Sequence, residues 1–300
     1  MRVAVTGSTG FLGTALLPAL ERAGHEVAPV HRGDGPPPRW DPETGTIDAG
    51  ALEGVDAIVH LAGEGIGERR WTPEQKQRIL RSRTAGTDLI ARTAVALDPT
   101  PSVLVTASAI GYYGDRGEEE LTEESTPGES FLAHVVQAWE ASTAPAADAG
   151  IRVVALRTGV VLARKGGALG RMLLPFQLGL GGRMGSGGQW MSWISVDDAL
   201  AGYLHALATP SLAGPVNLTA PVPVRNDEFA KTLGRVLRRP TVLPTPLFPL
   251  KLVYGAELVE QLLVEGQRAL PRRLLASGFT FTHTTIEAAL RSVLDRPAAV

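Results

Sequence analysis

Three glycines spaced three apart, Gly7, Gly10 and Gly13, are the first residues in the chain whose type and spacing suggest chemistry. Without a Cβ, such a turn lets backbone N–H groups approach a pyrophosphate, so Gly7, Ser8, Thr9, Gly10, Phe11, Leu12 and Gly13 are read as an anion cradle. A dinucleotide's adenine ribose should arrive about 20 residues further on, where an acid would bind the 2′-hydroxyl. The chain offers His31 and Arg32 there, and a guanidinium suits a 2′-phosphate. The cofactor expected from these residues is NADP(H). Two more segments bear on it: Leu61, Ala62 and Gly63, small residues closing a β-branched run, and Ser108, at the end of another such run and just before the hydroxyls of Tyr112 and Tyr113.

Those residues require elements that hold them. Val3-Ala4-Val5-Thr6 reads as a buried strand, and Leu12, Leu16 and Leu20 recur at helical spacing behind the glycines. Further strands are expected over 24–32, 55–63, 102–109, 151–157 and 214–219, with a short one near 46–48. Helices are expected over 73–83, 87–97 and 131–140. Thr72 should cap the first of these with Pro73 at its first position. Strands alternating with helices argue an α/β fold with a doubly wound parallel sheet, whose strand carboxyl ends bind ligands. Pro18 should kink the first helix, and Pro29 should mark a bulge or strand end. The glycine-rich stretch Lys165 to Gln189 suits a pocket cover better than a core. Trp190 to Asp198 reads as a strand leading into a helix opened by Asp197 and Asp198. Asn226 should cap a later helix, a proline-rich linker should run from Pro240 to Pro249, and a last helical region should end over 285–294.

The whole composition limits the partners. Twenty-nine basic residues stand against 31 acidic ones, so no global field favours nucleic acid or an anionic membrane, and a small-molecule substrate is expected. The chain has no cysteine, which rules out disulfides, cysteine-ligated metal and a cysteine nucleophile. No metal site is expected. No leader-like segment precedes the first strand and no apolar run reaches membrane-helix length, so a cytoplasmic location is expected. His60 is read as a strand-end histidine filling a polar gap.

Thr6-Gly7-Ser8-Thr9-Gly10-Phe11-Leu12-Gly13, a strand bearing Ser108, and Trp193-Ile194-Ser195-Val196-Asp197-Asp198 together resemble the extended short-chain dehydrogenase/reductase superfamily. More narrowly, Leu61-Ala62-Gly63-Glu64, Arg69-Arg70-Trp71-Thr72, Ser82-Arg83, Ser108-Ala109-Ile110-Gly111-Tyr112-Tyr113-Gly114 and Arg157-Thr158-Gly159-Val160-Val161-Leu162 resemble its atypical nucleoside-diphosphate-sugar epimerase-like subfamily. Leu263-Val264-Glu265-Gly266-Gln267-Arg268 and Pro271-Arg272-Arg273-Leu274 resemble that subfamily's small C-terminal domain of unknown function. The resemblance implies a Rossmann domain over residues 1–222 and a small α/β substrate-side domain over 223–300. It adds Arg83 to the cofactor set, sets the nicotinamide between Ser108 and Arg157-Thr158-Gly159, and puts substrate under 165–189.

The superfamily's chemistry uses a tyrosine four residues before a lysine, the lysine lowering the phenol's pKa for proton exchange with a carbinol. The helix that should carry the pair offers Leu132 and Val136, and none of the four tyrosines has a lysine at that spacing. Ser195 stands where the subfamily usually has a histidine, and Ala109 aligns with the superfamily's serine as well as Ser108 does. Two functions follow. One is an NADP(H)-dependent oxidoreductase or epimerase-like enzyme acting on a carbonyl, hydroxyl or conjugated compound, with Ser108 and Tyr113 the catalytic candidates and Glu64 or a water behind them. The other is an NADP(H)-binding sensor or regulator without catalysis.

Overall fold

The computed structural model describes residues 1–33 and 35–295 of the chain. Eight strands form its main sheet: β1 Arg2–Thr6, β2 Glu26–Arg32, β3 Arg39–Asp41, β4 Thr46–Ile47, β5 Ala57–His60, β6 Val103–Ala109, β7 Arg152–Thr158 and β8 Gly214–Leu218. Their spatial order is β8-β7-β6-β5-β1-β2-β3-β4, and every pairing is parallel except β3 with β4. The chain winds outward from β1 through β4, then crosses back to β5 and winds the other way. The crevice between β1 and β5 is therefore the topological switch point, where open α/β sheets bind ligands.

Strand residues alternate between the two faces, as a pleated ribbon buried on both sides requires. Val3, Val5, Ala57, Val59, Val103, Val105, Val154 and Leu156 pack into one core with Leu16 and Leu20 of helix Phe11–Arg22 and Tyr203 of helix Val196–Ala208. Ala4, Ile58 and Leu104 turn to the opposite core, where Ile90 and Ala94 of helix Pro73–Ala96 meet Trp40.

Several local expectations change on contact with tertiary packing. Helix Pro73–Ala96 runs unbroken through Gly86. A Cβ on Gly86 would lie 3.3 Å from the Trp40 ring, so this glycine makes room for the indole and does not end a helix. Thr72 caps the helix as expected, accepting the Gln75 N–H. Pro29 sits inside β2, paired in register with Val5. The His31 N–H, two residues on and thus on the same strand edge, bonds the Pro38 carbonyl beside β3. At Pro29 that neighbour has not yet begun, so the missing donor falls on an open edge. Pro18 lies within the continuous helix Phe11–Arg22. Asn226 opens helix Asn226–Leu237 without capping it: its Oδ1 accepts the Met184 N–H, fastening the glycine-rich segment. The expected linker holds no helix or extended strand over 240–246, and its last three residues open helix Leu247–Tyr254.

Helices Gly167–Gln177, Asn226–Leu237 and Ile286–Val293 share a separate core containing Phe176, Phe229, Leu233, Ile286 and Leu290. Residues 296–300 of the expected C-terminal unit lie outside the described residues. No helix among the described residues is long and apolar enough to cross a membrane.

Candidate cofactor and substrate site

The glycine turn leaves β1 at the switch point and runs into helix Phe11–Arg22, with extended Gly10 in the N-cap position. No side chain caps this helix and no acid occupies its first turn, so its N–H groups and positive dipole end are left for an anion. Gly7 has φ +69°, and a Cβ there would come 2.8 Å from the Ala62 nitrogen, just past β5. A Cβ on Gly13 would collide with the Gly7 carbonyl. Both glycines are thus required by close backbone packing, and the resulting cradle fits a pyrophosphate. Ser8 is buried, Thr9 exposed, and Phe11 and Leu12 half-buried beside it.

At the end of β2, Arg32 is exposed and its guanidinium pairs with Glu43. His31 is half-buried. Beyond β5, Arg83 passes alongside Gly63: a Cβ on that glycine would lie 3.4 Å from the guanidinium carbon. Arg83 Nη1 donates to the Glu64 carbonyl at 3.0 Å, and the group lies over the Trp139 ring at 5.0 Å. Burial pulls its pKa down to about 10, which still leaves it cationic at neutral pH.

Register sets the next group. Ser108 of β6 lies opposite Arg157 of β7, and both reach Glu140 of helix Phe131–Ala141. The Ser108 hydroxyl donates to Glu140 Oε1 at 2.6 Å, while Arg157 donates from Nε to Oε1 at 2.8 Å and from Nη2 to Oε2 at 2.7 Å. Arg157 Nη1 also donates to the Tyr113 hydroxyl at 3.1 Å, and that hydroxyl donates to Asn217 Oδ1 at 2.7 Å. The guanidinium carbon stands 3.4 Å from the Tyr112 ring centre. Tyr113 is wholly buried, and burial pushes its pKa up to about 12.

Beside the strand ends opens a cavity of about 240 Å³. Ala109, Thr158 and Gly159 contribute from the sheet, Leu132, Val136 and Trp139 from helix Phe131–Ala141, and Met172, Met184 and Met191 from the cover and its sequel. Residues 261–263, 265 and 267 form another wall. Gln261 Oε1 accepts the Leu132 N–H, and Gln189 Nε2 donates to the Leu263 carbonyl, so the C-terminal segment is tied to both neighbours. Trp190, also on the wall, has the Arg225 and Arg268 guanidiniums each 4.7 Å from its ring centre and donates to Glu118.

Residues 3–218 match the model of the NAD dependent epimerase/dehydratase family, and residues 245–293 match a domain of unknown function, DUF1731. The chain belongs to the NAD dependent epimerase/dehydratase family. It is 43% identical over 298 residues to an epimerase family protein of Mycobacterium tuberculosis, covering 98% of each chain. It is 40% identical over 299 residues to the human epimerase family protein SDR39U1, covering 98% of this chain and all of that one. A crystal structure of human SDR39U1 with NADPH superposes with a TM-score of 0.91 at 38% identity, covering 99% and 100% of the two chains. A nucleoside-diphosphate sugar epimerase from Corynebacterium glutamicum gives 0.82 at 36% identity, covering 98% of this chain and 58% of that one.

Within this epimerase fold, the nominated residues separate into groups. The cradle residues and Leu61, Ala62, Gly63 and Arg83 converge on the switch point, and Arg83, Thr158 and Gly159 also line the cavity. Ser108, Tyr113 and Arg157 do not line it: Ser108 and Arg157 share Glu140, and Arg157 donates to the Tyr113 hydroxyl, which donates in turn to Asn217. Leu132 and Val136, the residues in place of a tyrosine and a lysine, do line it. Glu64 Oε1 is held by Gln75 Nε2. His60 is wholly buried, its Nδ1 2.6 Å from Thr6 Oγ and its ring edge-on to Trp40. No group of three or more metal-ligating residues occurs among the described residues. Sequence reasoning overlooked Glu265 as a wall residue; the acid closing the apolar run Leu262-Leu263-Val264 was its one local signal.

Proposed function

We propose that this chain is an NADP(H)-dependent oxidoreductase acting on a small, largely apolar substrate with a conjugated or otherwise activated carbonyl. The observation that carries this reading is the cavity wall: Leu132, Val136, Trp139 and three of the chain's four methionines surround a space whose charged neighbours are Arg83 and Glu265. Burying a diphosphate there would need cations, and the wall supplies one, already donating to the Glu64 carbonyl. Methionines adapt to varied apolar shapes, which suits a flat or irregular molecule.

The Gly7–Gly13 turn would hold the cofactor's pyrophosphate, Arg32 its 2′-phosphate once freed from Glu43, and Thr158, Gly159 and Ala109 would border the nicotinamide. Bound there, NADPH would supply a hydride. The chain's own share is to exclude water with the apolar wall, orient the substrate, and place Arg83 near an oxygen that gains negative charge. We assign Ser108, Tyr113 and Arg157 to positioning: their network fixes the carboxyl ends of β6 and β7 beside the cavity.

The absent tyrosine–lysine pair favours a second reading, a dinucleotide sensor without turnover. Mixing the protein with NADPH and a panel of quinones, enones and aldehydes while following absorbance at 340 nm separates the two. The oxidoreductase reading expects loss of absorbance with at least one acceptor; constant absorbance with all of them would leave the sensor.

A further inference from the structure

We propose that Glu265 is the cavity's proton-exchanging group, the acid that protonates the reduced substrate. The assignment rests on the oxidoreductase reading above and deepens it. Among the residues lining the cavity Glu265 is the sole carboxyl, and no tyrosine, lysine, histidine or aspartate joins it. Its carboxylate has no hydrogen-bond or ion-pair partner among the described residues, while its backbone N–H is fixed to the Glu260 carbonyl at 2.8 Å. Held at its backbone and free at its tip, a half-buried carboxyl on the wall can meet a substrate and still exchange protons with solvent.

The surroundings favour the protonated form. Burial is the largest cause of a pKa raised above the ordinary glutamate value, and the negative charges of Asp115 and Glu260 add to it. Lys251 is engaged with Glu260 at 3.2 Å and Arg268 with Glu120 at 3.1 Å, and Arg83 is the cation on the cavity wall itself. Desolvation beside like charges is a recurring way for a protein to raise the pKa of a general acid.

The step balances. With a hydride delivered to the acceptor carbon by NADPH, oxidised to NADP⁺, the electron pair of the carbonyl or enone moves to oxygen. The Glu265 O–H bond breaks as a new O–H bond forms there, or a C–H bond at the α-carbon of an enone. The carboxylate left behind takes its next proton from water at the cavity mouth.

The test compares wild type with Glu265→Gln and Glu265→Asp on the acceptor panel. For Glu265→Gln, kcat should fall by about 10²–10⁴, the range for a positioned acid, with NADPH affinity unchanged; Glu265→Asp should recover part of it. The wild-type rate should decline as pH rises through the Glu265 titration, and that limb should vanish in Glu265→Gln. A readout independent of turnover is the ¹³C titration of glutamate carboxyls, with Glu265 identified by its loss in Glu265→Gln. Its midpoint should lie above the ordinary glutamate value, and one at or below that value overturns the assignment. An active wild type matched by Glu265→Gln in rate and pH profile overturns it while leaving the oxidoreductase reading intact. A wild type silent on every acceptor contradicts that reading and this assignment together.

Discussion

Arg157 and Glu140 meet through two parallel hydrogen bonds, their side chains only 3% and 17% exposed, and join strand β7 to helix Phe131–Ala141. The bidentate geometry repays the desolvation of both charges only while both are present. Glu140→Ala or Arg157→Leu should each cost about 3–5 kcal/mol of stability, read by urea denaturation, because either leaves a buried charge alone. A loss no larger than that of an exposed pair would show that the charges are solvated in the folded chain.

Tyr113 is bound to that pair through its hydroxyl, which accepts from Arg157 and donates to Asn217. Tyr113→Phe should therefore destabilise by about 1–3 kcal/mol while turnover per folded molecule stays at the wild-type level. Ser108→Ala should behave alike, since its hydroxyl is spent on Glu140. A rate loss in either variant with unchanged stability would return that hydroxyl to the chemistry.

Arg32 presents a different balance, because it is exposed and already paired with Glu43. Arg32→Ala should weaken NADPH binding by about 1.5–3 kcal/mol and leave NADH unaffected. Glu43→Gln should tighten NADPH modestly, by at most about 1 kcal/mol, by releasing the guanidinium and removing a repelling charge. Calorimetric titration of both cofactors checks each arm. Equal losses for NADPH and NADH in Arg32→Ala would mean that Arg32 does not read the 2′-phosphate.

His60 gives the fold a pH dependence. Burial lowers its pKa from 6.5 to about 4, so the unfolded chain binds the proton first. The stability this histidine contributes is complete above pH 6.5 and declines as pH falls toward 4, by up to about 3 kcal/mol. His60→Asn should flatten the stability difference between pH 7 and pH 5 relative to wild type. An unchanged difference would mean that His60 titrates alike in both states.

These contrasts show what could be read before folding and what could not. The β1–glycine turn–helix unit was legible because strand, turn and helix signals lie within about 20 contiguous residues and need no partner to be recognised. Gly86 looked like a gap between helices because its function depends on Trp40, distant in sequence but pressed against it. Pro29 looked disruptive because only the staggered start of β3 makes its missing donor harmless. The Ser108–Glu140–Arg157 network depends on β6–β7 register, and Glu265 reaches the cavity only after the C-terminal segment docks on Leu132 and Gln189. The positions of Leu132 and Val136 were readable because their spacing of four lies within one helix.

The central claim is that the cavity beside the strand ends holds the hydride acceptor, and filling it tests that claim most directly. Met172, half-buried on helix Gly167–Gln177, lines the cavity from the cover. In Met172→Trp, assayed for NADPH oxidation across the acceptor panel with NADPH affinity measured in parallel, turnover should disappear while cofactor binding and thermal stability remain. Wild-type rates in that variant would contradict the account, because the acceptor would then be bound elsewhere.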